Sequence, residues 1–381
     1  MIYADNAATT KVSDSVLEKM LPFLQEQYGN PSSTYSFGVK ARNAIEQARE
    51  HISSAIGAAP DEITFTSCGS EANTWVLRGF VETSCNEESL HIITSSIEHP
   101  SVLNACRSLE SRGIEVTYLP VDTKGHVSLY DFLTAIKPNT KFVSIMLANN
   151  EIGTIQPIAK LGKELRDRGI LFHTDAVQAV GYIPVNVNGL HVDFLTASAH
   201  KYHGVKGTGF LYKRSGLELP PLVVGGGQEK GLRSGTENVA GIVAAGNALK
   251  ESISTMPDTS KRLKAMIDAT VEGIRARLPN IRVNGDSEER LPGIVNLGFD
   301  GVSAESLMQL LDLKGICVSA GSACASGKGE PSHVLSALGL SKEQAVSAIR
   351  ISYSRYNTMD EVTAIVNGVC DSYDKIVMAL R

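Results

Sequence analysis

One lysine stands where an apolar run gives way to a loop of small residues. Lys201 follows the run Val192-Asp-Phe-Leu-Thr-Ala-Ser198 and precedes a glycine-containing loop. A lysine that forms an imine needs a fixed position and partial desolvation, and the end of a buried strand supplies both. A lysine just past a strand can equally be a solvated surface charge. The residues at the ends of the other strands decide between these two interpretations.

Other strand-like runs also end in polar side chains. The loop Ser67-Cys-Gly-Ser70 opens a helix, where backbone N–H groups and the Ser70 hydroxyl would form a phosphate cup or simply cap the helix. His99 could stack on a planar cofactor and relay protons, and Asn150 ends another run. Asp175 follows a buried run and needs a partner such as a protonated ring nitrogen. Phosphate cup, stacking imidazole, ring carboxylate and imine lysine together make up a pyridoxal phosphate site.

These residues require strands that bring them to one edge of a sheet. From about residue 60 to 213, short β-rich runs alternate with amphipathic helical stretches, which predicts an α/β fold with a mostly parallel sheet. In such a sheet, ligands bind beyond the carboxyl ends of the strands. The strands are predicted near residues 63–67, 90–96, 114–119, 141–147, 170–174, 192–197 and 209–213.

The chain changes character after the Gly- and Pro-rich stretch 216–235. Helical patterns continue to about residue 277, and shorter strands then mix with helices, which predicts a smaller α+β domain. We expect residues 15–255 to form a large cofactor-binding domain, and residues 1–14 with 256–381 to form the small domain, which carries a loop at about 320–331. The strands of the small domain are predicted near 281–283, 293–298, 316–319 and 349–353, before a helix over about 359–380.

The composition of the chain indicates which kinds of molecule it can bind. The chain has 381 residues, of which 43% are hydrophobic and 20% charged, with a formal net charge of -5. A large core is therefore expected, and no basic patch indicates nucleic acid or anionic lipid. No segment reads as a membrane span or a signal peptide, which predicts a cytoplasmic protein. Six scattered cysteines without metal-ligand spacing predict reduced thiols and no structural metal.

Nine ordered motifs run through nearly the whole chain. They are Tyr3-Ala-Asp-Asn-Ala-Ala-Thr-Thr10, Gly29-Asn-Pro-Ser-Ser33, Phe65-Thr-Ser-Cys-Gly-Ser-Glu71, Glu98-His-Pro100, Asn149-Asn-Glu-Ile-Gly153, His173-Thr-Asp-Ala-Val-Gln178, Ser198-Ala-His-Lys201, Arg233-Ser-Gly-Thr-Glu-Asn238 and Gly321-Ser-Ala-Cys-Ala-Ser326. Through these motifs the chain resembles the cysteine desulfurases, pyridoxal-phosphate enzymes of the fold-type-I, class-V aminotransferase group. Cys68, in place of a common glycine, favours the nitrogen-fixation-type branch. Departures at Ala4, Tyr35 and Ala199 remove no functional group.

The resemblance implies roles for residues in these motifs. Lys201 would hold pyridoxal 5'-phosphate as a covalent imine, Asp175 would bind the ring nitrogen, and His99 would lie over the ring face. Asn150 and Gln178 would lie near the ring oxygen. The phosphate would be held by Gly69, Ser70, Ser198 and His200, with Thr236 supplied by the partner subunit of a homodimer.

The resemblance also identifies the nucleophile and the substrate contacts. Cys324, in the loop 320–331, matches the family's nucleophilic cysteine, and the small residues around it cannot fill a core. Its thiolate would attack the sulfur of L-cysteine, leaving a persulfide on Cys324 and releasing L-alanine. Arg350 matches the arginine that grips the substrate carboxylate by a two-point contact, and Asn30 would assist it.

Three other functions compete with a cysteine desulfurase. A selenocysteine lyase would share the fold and retain activity without Cys324, whereas a small-substrate aminotransferase would need a keto-acid acceptor and no loop thiol. A catalytically silent regulatory subunit is disfavoured because Lys201, Asp175 and Cys324 are all present. The expected partners are L-cysteine, a second copy of the chain and a sulfur-acceptor protein such as an iron-sulfur scaffold.

Overall fold

The computed structural model describes residues 1–84, 89–321 and 331–380. Its strands fall into a large sheet, a three-stranded sheet and a two-stranded pair. The strands are β1 (Ile2–Tyr3), β2 (Ile63–Thr66), β3 (His91–Ser95), β4 (Glu115–Leu119), β5 (Thr140–Ser144), β6 (Leu171–Asp175), β7 (Phe194–Ser198), β8 (Gly209–Lys213), β9 (Arg282–Asn284), β10 (Ile294–Gly298), β11 (Ile316–Cys317) and β12 (Ala348–Ser352).

Helices occur throughout the described part of the chain. Among the described helices, none combines the length and the apolar character that a membrane crossing needs. The helices are α1 (Asp14–Met20), α2 (Pro22–Gln25), α3 (Ser36–Ile56), α4 (Gly69–Thr83), α5 (Pro100–Glu110), α6 (Leu129–Ala135), α7 (Ile158–Arg166), α8 (Val187–Leu190), α9 (Val239–Arg277), α10 (Ala304–Leu313), α11 (His333–Ala337), α12 (Lys342–Ala345) and α13 (Met359–Leu380).

The large sheet has the strand order β2-β8-β7-β6-β5-β3-β4 within the described ranges. Strand β8 is antiparallel to both of its neighbours, and the other strands run parallel to one another. The carboxyl ends of β2, β3, β5, β6 and β7 therefore meet at one edge. This arrangement confirms the predicted α/β fold with a mostly parallel sheet.

All seven predicted strands of the large sheet are present, and the main difference lies at the end of β5. The sequence predicts a strand over 141–147, whereas β5 ends at Ser144. The chain continues along β6 beyond that point, because Ile145 N–H donates to His173 O at 3.1 Å and Leu147 N–H donates to Asp175 O at 2.9 Å. This extension carries the chain to Asn150 at the same sheet edge.

A second core lies beside the large sheet. Strands β12, β10 and β9 form an antiparallel sheet, and β1 pairs with β11. Ala4 is buried in this core together with apolar side chains from the segment 263–370. The long helix α9 contains Pro257, and the predicted domain boundary between residues 255 and 256 falls inside it. The division into 15–255 and 1–14 with 256–381 stays a prediction.

Candidate active site

A cavity of about 260 Å³ opens at the carboxyl edge of the large sheet. It brings together side chains from the ends of β2, β3, β6 and β7, from the turn after β5, and from β12. Ten of the predicted site residues line it, namely Gly69, Ser70, His99, Asn150, Asp175, Gln178, Ser198, His200, Lys201 and Arg350.

Lys201 is placed by a fully buried strand and a tight turn. All five residues of β7 are buried, and Ala199–Lys201 form one turn of 3-10 helix directly after it. The Lys201 ammonium group donates to Ala7 O at 2.7 Å and to Ala8 O at 2.8 Å. The start of the chain therefore helps to hold this side chain in the cavity.

The first turn of α4 has the features of an anion site. Gly69 is the first helical residue, and a Cβ atom there would lie 2.6 Å from Val177 Cγ2. Ser198 Oγ is buried in the same cavity wall without a hydrogen-bond partner. Burial, together with the positive charges of Lys201 and Lys206, lowers the pKa of His200 to about 4. His200 is therefore neutral at pH 7.

Asp175 lies at the end of β6 and has a defined orientation. It is 5% exposed, and it accepts hydrogen bonds from Asn73 Nδ2 at 2.6 Å and from Val177 N–H at 3.0 Å. Gln178, three residues later, donates to Ala7 O at 2.9 Å. The carboxylate keeps acceptor capacity for a donor inside the cavity, because each of its oxygens can accept more than one hydrogen bond.

His99 is the N-cap residue of α5 and borders the cavity. Its Nδ1 atom lies 2.8 Å from Ser101 Oγ and accepts a hydrogen bond from Ser101 N–H at 3.1 Å. Burial lowers the pKa of His99, the charge of Asp175 acts in the opposite direction, and Lys201 and His333 lower it further. The imidazole is therefore held neutral beside the carboxylate.

Arg350 comes from β12 in the second core and is 1% exposed. Its guanidinium donates to Asp5 Oδ1 at 2.7 Å and to Asn150 O at 2.8 Å. The Nε atom is buried without a hydrogen-bond partner. A buried cation that lines a cavity and has spare donors is suited to bind a carboxylate.

Two predicted residues of the described chain do not line this cavity, and a third cannot be placed. Asn30 is exposed, and its Oδ1 atom accepts from Ser32 N–H at 2.9 Å. Thr236 is exposed and lines a separate cavity of about 80 Å³. Cys324 lies outside the described residues.

Three polar residues at the site had no role predicted from the sequence. Asn73 and Ser101 line the cavity and connect Asp175 to His99, while Asp5 pairs with Arg350. Asn73 lies four residues after Gly69 on α4, so its helical spacing from the phosphate cup was the available signal. The pairing of Asp5 carried no local signal, because its partner lies 345 residues away.

Comparisons with known proteins agree with this geometry. Residues 2–365 match the family model described as aminotransferase class-V. A cysteine desulfurase IscS of Dictyoglomus turgidum is 47% identical over 380 residues, covering 100% of this chain and 95% of that protein. The chain belongs to the cysteine desulfurases of the aminotransferase class-V family. Pyridoxal phosphate is the cofactor of this cysteine desulfurase.

Two solved structures show that the similarity includes the fold. A NifS-like protein, 39% identical, superposes with a TM-score of 0.92 over 97% of this cysteine desulfurase and 98% of that chain. A structure described as SspA in complex with cysteine is 38% identical, with a TM-score of 0.82 over 94% of this chain and 100% of that one.

The described residues of this cysteine desulfurase fit the cofactor. Ser198 Oγ is a buried donor without a partner in the cavity wall, as a phosphate contact requires. The oriented carboxylate of Asp175 could accept a hydrogen bond from a ring nitrogen, and the amine of Lys201 lies in the same cavity. These residues meet in one cavity at the sheet edge.

Proposed function

We propose that this chain converts L-cysteine to L-alanine and receives the sulfur as a persulfide on Cys324. The observation that carries the proposal is the meeting of the Lys201 amine, the Asp175 carboxylate and the His99 imidazole around one cavity, with Arg350 buried in its wall. A lysine, an acid and a neutral imidazole in this arrangement can move protons at the α- and β-carbons of an amino acid.

Each residue of the cavity has a proposed part in holding the cofactor. When bound, the cofactor withdraws electrons from the substrate α-carbon. Lys201 would be the covalent attachment point, Asp175 would hold the proton on the ring nitrogen, and Asn150 and Gln178 would lie near the ring oxygen. The phosphate contacts are proposed to be Gly69, Ser70, Ser198 and His200.

Arg350 is proposed to bind the substrate carboxylate. Its Asp5 and Asn150 contacts fix the guanidinium plane, and its unpaired Nε is a further donor. Lys201, once its amine is free, moves the α-proton, and His99 relays a proton toward the product. Asn30 lies outside the cavity, so its assistance to Arg350 requires the loop that carries it to approach the substrate.

Cys324 is proposed to attack the sulfur of the substrate as a thiolate. The new S–S bond forms as the substrate C–S bond breaks, and the electron pair of that bond stays with the β-carbon, which takes a proton to give alanine. The described chain enters this loop beside the substrate contact, because Ser319 and Arg350 exchange two backbone hydrogen bonds of 3.1 and 2.6 Å. This pairing brings described residues that precede Cys324 next to Arg350, which supports the assignment of Cys324.

Two substitutions test the assignment. Lys201→Ala should abolish the imine absorbance of the holoprotein. Cys324→Ser should abolish alanine and persulfide formation from cysteine while leaving that absorbance intact. Cys68→Ser, which changes a thiol that lines the cavity, is the matched control and should keep the product persulfide. Full cysteine activity in Cys324→Ser would refute the role of Cys324.

A homodimer is proposed to complete the phosphate site through Thr236. Exposed apolar side chains along α1, α2 and the following loop, including Leu24 at 57% and Tyr28 at 72%, support a surface covered by a second copy. Arg233 Nε donates to Glu71 Oε1 at 3.1 Å and so ties the Thr236 loop to α4. Light scattering should give twice the chain mass of 40.7 kDa, and a monomer with full activity would contradict the proposal.

The sulfur is proposed to pass from Cys324 to an acceptor protein, such as an iron-sulfur scaffold, in the cytoplasm. The relatives are named as cysteine desulfurases, and this supports sulfur supply as the purpose of the reaction. Incubating the persulfidated protein with candidate acceptors and following radiolabelled sulfur tests the transfer. Retention of all label on this chain with every scaffold tried would refute the scaffold as acceptor.

A further inference from the structure

A continuous chain of hydrogen bonds joins Asp175 to His99 through two residues with no assigned role. Asn73 Nδ2 donates to Asp175 Oδ2 at 2.6 Å and to Ser101 Oγ at 2.9 Å, and Ser101 Oγ lies 2.8 Å from His99 Nδ1. Asn73 is 1% exposed, so its bond to Asp175 is shielded from water.

The directions of these bonds follow from chemistry. The amide of Asn73 must present its NH₂ group to Asp175, because the reversed amide would place a carbonyl oxygen against a carboxylate. Asn73 Oδ1 is correspondingly buried without a partner. The Ser101 hydroxyl, which accepts from Asn73, then has its own hydrogen available for His99 Nδ1.

A second contact determines which nitrogen of His99 carries the proton. The backbone N–H of Ser101 can only donate, and it points at Nδ1 at 3.1 Å. A proton on Nδ1 would face that N–H directly. Nδ1 is therefore an acceptor, and the proton of the neutral imidazole lies on Nε2.

We propose that Asn73 and Ser101 are positioning residues that hold His99 as the neutral Nε2–H tautomer and couple its orientation to that of Asp175. The inference rests on the proposed function, in which Asp175 holds the ring-nitrogen proton and His99 relays protons. With Nδ1 occupied, Nε2 is the nitrogen that exchanges a proton with the substrate, and it enters the reaction as a donor. The charged groups that act on His99 are Asp175, Lys201 and His333, and their net effect, with burial, is to keep the ring neutral.

The direct test is the nitrogen spectrum of His99 in the holoprotein. Long-range ¹H–¹⁵N spectra of histidine-labelled protein distinguish the two neutral tautomers, and His99→Gln identifies the signals of His99 among the nine histidines. We expect the Nε2–H pattern from about pH 6 to about pH 9. An Nδ1–H pattern or a charged ring in this range would overturn the proposal.

Variants separate positioning from a merely structural role. Ser101→Ala and Asn73→Ala should each weaken the donation to Nδ1 that the Ser101 hydroxyl adds to that of its N–H, and so shift the His99 nitrogen signals and lower kcat about 10- to 100-fold with little change in KM. The double variant should be no worse than the worse single variant, and Ser101→Thr should recover most of the kcat lost in Ser101→Ala. Unchanged His99 signals in both alanine variants would refute the inference.

A nearby serine provides the control. Ser96 Oγ is buried without a hydrogen-bond partner, so Ser96→Ala removes a hydroxyl close in sequence to His99 without touching the bond chain. Its His99 signals should match those of the wild type. The spectra can be recorded whether or not the protein acts on cysteine. Absence of desulfuration would therefore refute the proposed function, while the tautomer result tests the positioning role separately.

Discussion

Replacing Glu98 with glutamine should change how the stability of the protein depends on pH. The Glu98 carboxyl group is fully buried and accepts hydrogen bonds from Ser95 Oγ at 2.6 Å and from Met146 N–H at 2.9 Å. Burial raises the pKa of Glu98 from 4.5 to about 8, although both hydrogen bonds act in the opposite direction. The folded protein therefore holds this proton at pH values where the unfolded chain has released it.

The sign and size of the effect follow from that difference in pKa. Because the folded-state pKa is the higher one, the contribution of Glu98 to stability is present below the unfolded pKa and is lost as the pH rises toward 8. The full difference corresponds to roughly 5 kcal/mol, at about 1.4 kcal/mol per pKa unit. Glutamine does not titrate, so Glu98→Gln should gain about 3 kcal/mol relative to the wild type between about pH 5 and about pH 8.

Urea unfolding of the holoprotein at a series of pH values measures this gain. Trp75, the single tryptophan, is buried on α4 and reports unfolding by fluorescence. Glu82 is exposed on α4, the helix that carries Trp75. Glu82→Gln is the matched control and should give a difference in unfolding free energy from the wild type that does not vary with pH. Parallel pH curves for wild type and Glu98→Gln would refute the assignment of a raised pKa to Glu98.

Three further predictions concern the walls of the site and the fold around it. Arg350→Gln should raise KM for cysteine and lower kcat/KM by about 10²- to 10³-fold, and unchanged kinetics would exclude Arg350 as the carboxylate contact. Glu229→Gln should lower the free energy of unfolding by about 3 kcal/mol in urea, because it removes the charge that pairs with buried Arg49 at 2.8 Å; a loss below about 1 kcal/mol would contradict this. Gly69→Ala should weaken cofactor binding about tenfold in fluorescence titrations of the apoprotein, because its Cβ would lie 2.6 Å from Val177 Cγ2. Unchanged affinity there would show that the first turn of α4 adjusts.

The large sheet could be predicted because each of its strands is a short apolar run between helical patterns. Buried parallel strands leave this signal in the local sequence, as β6 and β7 show. Strand β1 left no such signal, because two residues cannot show a period. Its position depends on the parallel pairing of Ile2 with Ile316, more than three hundred residues away.

The same distinction between local signals and long-range contacts applies to the residues of the candidate site. The positions of Lys201, Asp175 and His99 at the sheet edge could be predicted because each lies at the end of a recognisable strand or within four residues after it. Asn73 and Ser101 could not be assigned, because their function depends on which atoms of neighbouring segments they meet, and helix α4 meets helix α5 only in the folded chain. Local sequence indicates which residues reach the sheet edge, but the bonds between them depend on tertiary packing.

The position of Arg350 explains why the second core is needed for a site built mainly on the large sheet. The guanidinium is carried by β12, yet its two hydrogen-bond partners are Asn150, from the turn after β5 of the large sheet, and Asp5, from the start of the chain. The same initial segment supplies the carbonyl groups of Ala7 and Ala8 that bind the Lys201 amine. A carboxylate bound at Arg350 would add a partner to a cation that already joins three segments. The proposed substrate contact is therefore also one that holds the two cores together.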